Sequence, residues 1–398
     1  MKILSIETSC DETGIALVEV DVSQTQVKAH TIQSELFSQI DIHKEFGGVF
    51  PVVAKREHAK WLPILMEKVL NMQCHPGFIP GPGNTNDEIP GQARDDIHPM
   101  RPETWSHIEK ILEREIGLFE PTKKLLLTHS KPDINMIAVT EGPGLEPALW
   151  VGISFARALA LYWDIPLIGT NHMKGHIFSV LLNQKEIHFP ALALLISGGH
   201  TELVEMNSIS VFTIIGKTKD DAIGESYDKV ARMIGLEYPG GPKIAELAAL
   251  ARHSNLASGD FVFPRPMLHS PDLDFSFSGL KTSILYKIRE LETLDETLKM
   301  QIAHEFEQAV TDVIVYKLKK ALTQKNYETL IVSGGVIANT YLRSQIETLA
   351  ASLDILLLLP QISDSTDNAQ MIAVAGAIES LTKPQKSLEI KAQGNMSY

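Results

Sequence analysis

The stretch "KILSIETSCDETGIALVEV" (2–20) decides the fold class. Two β-rich runs, KILSIET (2–8) and TGIALVEV (13–20), flank the tight polar turn SCDE, which predicts a β-hairpin. A third strand is expected around 25–34. The arrangement returns in mid-chain, where "ALALLIS" (191–197) and "TELVEM" (201–206) flank "GGH" and a strand "VFTIIG" (211–216) follows. Behind each hairpin, helical and strand patterns alternate. A helix at 50–70, the strand "INMIAVT" (134–140), a helix near 147–163 and the short strand "IPLIG" follow the first. Helices at 221–235, 242–252, 278–291 and 295–324 follow the second, then the strands "TLIVSGG" and "DILLLLP" and a last helix from about 367 to 381. Such alternation implies α/β layers, and duplicated halves with phosphate-sized turns suggest a nucleotide cleft between two domains.

The chain has 398 residues, which favours two domains over one. Its 44% hydrophobic and 21% charged content is that of an ordinary globular protein. The net charge of −13 repels nucleic acid at long range, so an RNA substrate would need a local basic patch or a partner that supplies one. Two cysteines, Cys10 and Cys74, make no disulfide framework and suit a reducing cytoplasm. The opening "MKILSIETSC" has no signal-peptide pattern, and no window reaches ~18 uninterrupted apolar residues, so no membrane span is expected.

One segment breaks the pattern. "HPGFIPGPGNTNDEIPGQARDDIHPMRP" (75–102) carries six prolines and four glycines without periodicity, and reads as a disordered surface insertion. A helix is expected behind it, with Thr104 as N-cap and Trp105, Ile108, Ile111 and Leu112 on one face.

Several residues could carry chemistry. In "NHMKGH" (171–176), His172 and His176 are four apart and share one helix face. They are either two metal ligands or two helix histidines that happen to be neighbours. Zinc proteases use H-E-x-x-H with Glu as general base; here that position is Met173. Gly175 weakens the helix, and a third ligand would have to come from elsewhere, an Asp near the far end of the chain being a candidate. "SGGH" (197–200), "YPGGP" (238–242) and "SGGV" (333–336) can each bring backbone N–H groups to an anion, or be ordinary turns. Asp11 and Glu12 occupy the first hairpin's tip, where they could hold a metal near phosphates or cap a turn. Asp220 and Asp221 are placed to start a helix and Asp228 lies further along it; Asp367 reads as an N-cap. Lys55, Arg56, Lys123, Lys124 and "KLKK" (317–320) read as solvated surface.

Taken together, the motifs resemble the universal tRNA threonylcarbamoyladenosine family (bacterial TsaD, once described as a glycoprotease). The matching stretches, in family order, include "IETSCDETGIAL" (6–17), "FGGVFPVVAKREHAKWLP" (46–63), "TEGPGLEPALWVGISFARALA" (140–160), "NHMKGHI" (171–177) and "LLISGGHTEL" (194–203). "DDAIGESYDKVARMIGLEYPGGP" (220–242), "LDFSFSGLKT" (273–282), "SGGVIAN" (333–339) and "STDNAQMIA" (365–373) complete the series.

The resemblance implies a two-domain actin-like ATPase, sugar-kinase and Hsp70 fold. Its N-terminal subdomain would span 1–170, with 365–398 packing back on it, and its C-terminal subdomain 171–364. It implies transfer of a threonylcarbamoyl group from threonylcarbamoyl-AMP to the exocyclic amine of the adenosine 3′ of the anticodon, in tRNAs reading codons that begin with A. His172, His176 and Asp367 match the family's ligands for one metal ion, iron or zinc. Leu195, Ile196, Ser197, Gly198, Gly199, Asp228, Gly241 and Asn339 match the positions that hold the adenylate. Asp11 and Glu12 are the candidates for general base. A TsaB-like paralogue and a TsaE-like ATPase are the implied partners, and the cytoplasm the implied location. Lys174 stands where the family commonly has Glu, Val52–Val53 replaces a usual Glu-Leu pair, Ser365 replaces a common Cys, and the 75–102 insertion is foreign to the family. The competing readings are a metalloprotease and a non-catalytic nucleotide-binding scaffold of the same fold.

Overall fold

A computed structural model describes residues 1–22, 27–71, 102–183, 186–254, 256, 261–382 and 389–398. The 75–102 insertion and Cys74 therefore lie outside the described residues, apart from Pro102.

The chain opens with β1 (Lys2–Glu7), β2 (Glu12–Val22) and β3 (Val27–Ser38), followed by the helices α1 (Ile40–Lys44), α2 (Pro51–Asn71), α3 (Pro102–Leu112) and α4 (Phe119–Thr128). Then come β4 (Met136–Gly142), α5 (Glu146–Trp163), β5 (Leu167–Asn171) and α6 (His172–Phe178). The second series is β6 (Ala191–Ile196), β7 (Thr201–Ser208), β8 (Val211–Lys217), α7 (Ile223–Met233), α8 (Gly240–His253), α9 (Ser278–Glu290) and α10 (Glu296–Gln324). It ends with β9 (Thr329–Ser333), α11 (Thr340–Ser352), β10 (Leu356–Leu358) and α12 (Ala369–Glu379).

The two sheets have one topology. Their orders are β3-β2-β1-β4-β5 and β10-β9-β6-β7-β8. In each, the hairpin and third strand pair antiparallel, and the first strand pairs parallel with the fourth. This is the duplicated mixed-sheet α/β fold that the two hairpins imply.

The strands are apolar on both faces because each sheet is covered on both sides. Leu4, Ile6, Ile15 and Leu17 face α2, α3 and α5, whereas Ile3, Ala16 and Val18 face the interior between the sheets. In the second sheet Leu192, Leu194 and Ile196 face the core built with α7, α8 and α10, and Ala191, Ala193 and Leu195 turn to the same interior. That middle layer holds α6 and α12. A helix apolar on every side has to be buried, and in α12 (AQMIAVAGAIE) every residue but Gln370 is buried. Gly376 lets it lie on β4, since a Cβ there would come 2.7 Å from the Ala138 Cβ. α12 also packs on β1, β2 and β5. Among the described residues no helix is long and apolar enough to cross a membrane.

Four expectations are corrected. The helix expected to start at Thr104 begins at Pro102, so Thr104 lies inside its first turn, although Ile108 and Leu112 are buried as expected. Asp220 and Asp221 do not start a helix. Asp220 accepts hydrogen bonds from the Phe277 N–H and the Ser276 and Ser278 hydroxyls, and Asp221 pairs with Lys229 and Lys281. The N-cap of α12 is Asn368, which accepts from Met371 N, and Asp367 is left free for another role. Lys317 of "KLKK" is fully buried, its Nζ 2.6 Å from Ser270 Oγ and 2.9 Å from the Asp272 carbonyl.

Candidate active site

α6 follows β5 directly because Asn171 caps it, accepting from Lys174 N at 3.1 Å. The cap places His172 in the first turn and His176 one turn on, with ring centroids 4.7 Å apart and planes at 82°. Gly175, unfavourable for a helix in isolation, is explained by packing. A Cβ there would come 3.1 Å from Ile372 Cδ1 and 3.2 Å from Met371 Cγ, so its absence brings α6 close to α12. That approach carries Asp367, just ahead of α12, to the histidines: its Oδ1 lies 3.1 Å from His176 Nε2 and 3.5 Å from His172 Nε2.

The ligand atoms of His172, His176 and Asp367 all lie within 4.8 Å of one another. His176 Nδ1 is buried without a partner, and Nε2 has only the Asp367 carboxylate beside it. Two imidazoles and a carboxylate, one imidazole otherwise unsatisfied, fit a divalent transition metal with open positions for substrate oxygens. In the metal-free chain, burial opposes a charge on His172, but the Asp367 and Glu7 carboxylates outweigh it and hold its pKa well above the ordinary value. Burial would raise the Asp367 carboxyl, yet His172 and His176 hold it well below the usual range.

Glu7 was not singled out from sequence. It is fully buried, and its Oε2 sits 3.1 Å from His172 Nδ1 and 2.6 Å from Thr140 Oγ1, while Oε1 accepts from Ser9 N. With a metal bound, a carboxylate on Nδ1 would keep the proton there and leave the Nε2 lone pair for the ion. The signal was an acid at the end of the strand KILSIE, every residue of which after Lys2 is buried. His200 was also missed. Burial, then His172 and His176, push its pKa down to about 4, which places it beside the same cluster.

Asp11 and Glu12 stand at the hairpin tip as expected. Asp11 is buried with Oδ2 unpartnered, and burial, then Asp11 and Asp367, push the Glu12 carboxyl well above its ordinary value. The tip thus faces the histidine–aspartate cluster.

The glycine turns converge beside it. Gly198 and Gly199 are exposed with open space where a Cβ would be, and half-buried Gly241 has the same open space. A Cβ on Gly224, at the start of α7, would meet Ser197 O at 2.7 Å, and one on Gly334 would meet Ile196 O at 2.4 Å. These close approaches join the "SGGH" turn to α7 and to the "SGGV" turn. A Cβ on Gly335 would in turn lie 3.9 Å from Thr366 Cγ2, next to Asp367. Leu195 and Ile196 are brought to the site only through their backbone, since both side chains are in the core. Ser197 closes its own turn, N–H to the His200 carbonyl and Oγ to His200 N. Asp228 Oδ1 accepts from Gly240 N at 2.7 Å, and the carboxylate also accepts from Gly241, so it holds the "YPGGP" turn.

A family model described as TsaD, tRNA N6-adenosine threonylcarbamoyltransferase, matches residues 30–74 and 124–374. The chain belongs to the TsaD family. The 75–101 part of the insertion falls in the stretch that the family model skips. The tRNA N6-adenosine threonylcarbamoyltransferase of Thermosipho melanesiensis is 38% identical over 376 residues, 94% of this chain and 94% of that one. The same enzyme of Burkholderia ambifaria is 39% identical over 384 residues, covering 95% and 92%. Among solved structures, component A of the (R)-2-hydroxyglutaryl-CoA dehydratase of Acidaminococcus fermentans is 10% identical with a TM-score of 0.47, covering 96% of this chain and all of that one.

Lys174, between the two histidines, turns to α12: its Nζ lies 3.1 Å from Glu379 Oε1 and 5.1 Å from the Phe212 ring centroid. Its charge is thereby answered by a carboxylate. Met173, at the position of a protease base, is a buried apolar side chain.

Proposed function

We propose that this tRNA N6-adenosine threonylcarbamoyltransferase uses threonylcarbamoyl-AMP as donor and modifies the adenosine 3′ of the anticodon in tRNAs reading codons that begin with A. The observation that carries the reading is the meeting of His172, His176 and Asp367 beside the glycine turns. His172, His176 and Asp367 would hold one iron or zinc ion, and a bound metal supplies Lewis-acid polarisation of a carbonyl or phosphoryl oxygen. Gly198, Gly199 and Gly241 leave room for the adenylate phosphate, and Asn339 stands at the foot of α11 to contact the nucleoside.

In the transfer, the adenosine N6 forms a bond to the carbamoyl carbon and the bond from that carbon to the phosphate oxygen breaks, releasing AMP. The amine must lose a proton. Asp11 and Glu12 at the tip are the candidate acceptors, and burial with the neighbouring Asp11 and Asp367 carboxylates raises the Glu12 carboxyl and so makes it a stronger base. The cleft would lie between the 1–170 half, with 365–398, and the 171–364 half.

The net charge of −13 favours a TsaB-like paralogue as a second tRNA-holding surface, together with a TsaE-like ATPase, in the cytoplasm. The test is reconstitution: the chain, both partners, threonylcarbamoyl-AMP and unmodified tRNA, with the modified nucleoside read by mass spectrometry. Product that forms only with the chain present supports the reading. No product with active partners overturns it.

A further inference from the structure

Asn339 caps α11 by accepting the Leu342 N–H on Oδ1 at 2.9 Å. Its Nδ2 donates to Glu307 Oε1 at 2.6 Å. Glu307, on α10, is fully buried, and its other oxygen lies 2.6 Å from an Arg252 guanidinium nitrogen. That guanidinium is stacked 4.2 Å from the Tyr341 ring centroid. A carboxamide has two N–H donors and two oxygen lone pairs. Asn339 therefore keeps one N–H and one lone pair for a ligand, on a half-buried side chain beside the "SGGV" turn.

The order of that donor and acceptor is fixed. A flipped amide would point Oδ1 at the Glu307 carboxylate and Nδ2 at the Leu342 N–H, and both contacts are repulsive. On their Watson–Crick edges adenine and guanine are opposites: adenine offers a donor at N6 and an acceptor at N1, guanine an acceptor at O6 and a donor at N1. An amide held in one orientation matches one of them only, because the other leaves polar groups unpaired.

We propose that Glu307 is the positioning residue that makes the nucleotide pocket select adenine over guanine, by fixing the orientation of the Asn339 carboxamide. The proposal rests on the reading that Asn339 contacts the adenylate base. Burial raises the Glu307 carboxyl, and the Asn339 hydrogen bond and the Arg252 guanidinium 2.6 Å from its other oxygen oppose that and favour the accepting carboxylate.

The test is calorimetric titration of the full-length chain with AMP and with GMP, with thermal melting alongside. Wild type should favour AMP by at least about tenfold. In Glu307→Gln the carboxamide oxygen goes to the Arg252 charge and its NH2 faces Asn339, so the preference should fall by about tenfold. In Glu307→Gln/Arg252→Leu the oxygen is free to return to Asn339, and the preference should recover, which a loss of packing alone would not allow. An unchanged preference in Glu307→Gln, or no recovery in the double variant, overturns the proposal. A wild type that binds AMP no better than GMP does the same. A wild type that binds neither overturns the adenylate reading beneath it.

Discussion

His176 Nε2 lies 3.1 Å from Asp367 Oδ1, although α6 and Asp367, two residues ahead of α12, are separated by most of the second half of the chain. The relationship depends on Gly175. Gly175→Ala adds a methyl where Ile372 and Met371 already approach to 3.1 and 3.2 Å. Overpacking should cost about 1–2 kcal/mol, partly offset by better helix propensity. It should also push His176 away from Asp367. Chemical denaturation and metal titration check the two effects separately.

Glu7 orients His172 without being a ligand itself. Glu7→Gln keeps the volume but removes the charge facing Nδ1. Metal affinity should fall by about 10–100-fold with the fold intact, measured by competition against a chromophoric chelator. Unchanged affinity would show that His172 is oriented by Ser9 and packing alone.

Lys174 is matched to Glu379 rather than to the ligands. Replacing it with glutamate sets like charges together against a side chain only 4% exposed. Lys174→Glu should therefore destabilise this chain by about 1–3 kcal/mol, and Lys174→Glu/Glu379→Lys should recover most of it. Urea denaturation of the single and double variants decides.

A pH dependence follows from His58, buried on α2 behind the first hairpin's tip. Its Nε2 lies 3.0 Å from the Cys10 carbonyl and so carries the proton, which makes Nδ1 the acceptor from the Thr13 hydroxyl at 2.7 Å. Burial pushes its pKa down from 6.5 to about 4. The unfolded chain then takes up the proton more readily than the folded one. Stability from this group is intact above pH 6.5 and is lost as the pH falls towards 4, by about 3 kcal/mol in all. Denaturation midpoints measured between these pH values should slope downward in wild type and less so in His58→Gln.

The two hairpins were legible because each pairs two β-rich, near-continuous apolar runs across a short turn, and their duplication carried the fold class. The histidines were legible from spacing alone only as an open choice. What bears on that choice is Asp367, whose sequence looks like a helix cap until Asn368 is seen to take that role. Glu7 left only the trace of an acid at a strand's end and His200 none, because their roles come from contacts across the fold. The same holds for Lys317: a helical run of lysines reads as solvated surface, and only the loop at 270–272 folding over it buries one of them. Asp228 shows the reverse case, a matched binding position whose carboxylate also secures a neighbouring turn.

The central claim is that threonylcarbamoyl transfer depends on the cluster of His172, His176 and Asp367. The most direct measurement is modified-nucleoside formation by chelator-stripped and metal-reloaded protein, for wild type and Asp367→Ala, with partners, donor and tRNA held constant. Activity that vanishes on stripping, returns on reloading in wild type and fails to return in Asp367→Ala is the expected result. Full activity in stripped wild type, or in Asp367→Ala, would contradict the account.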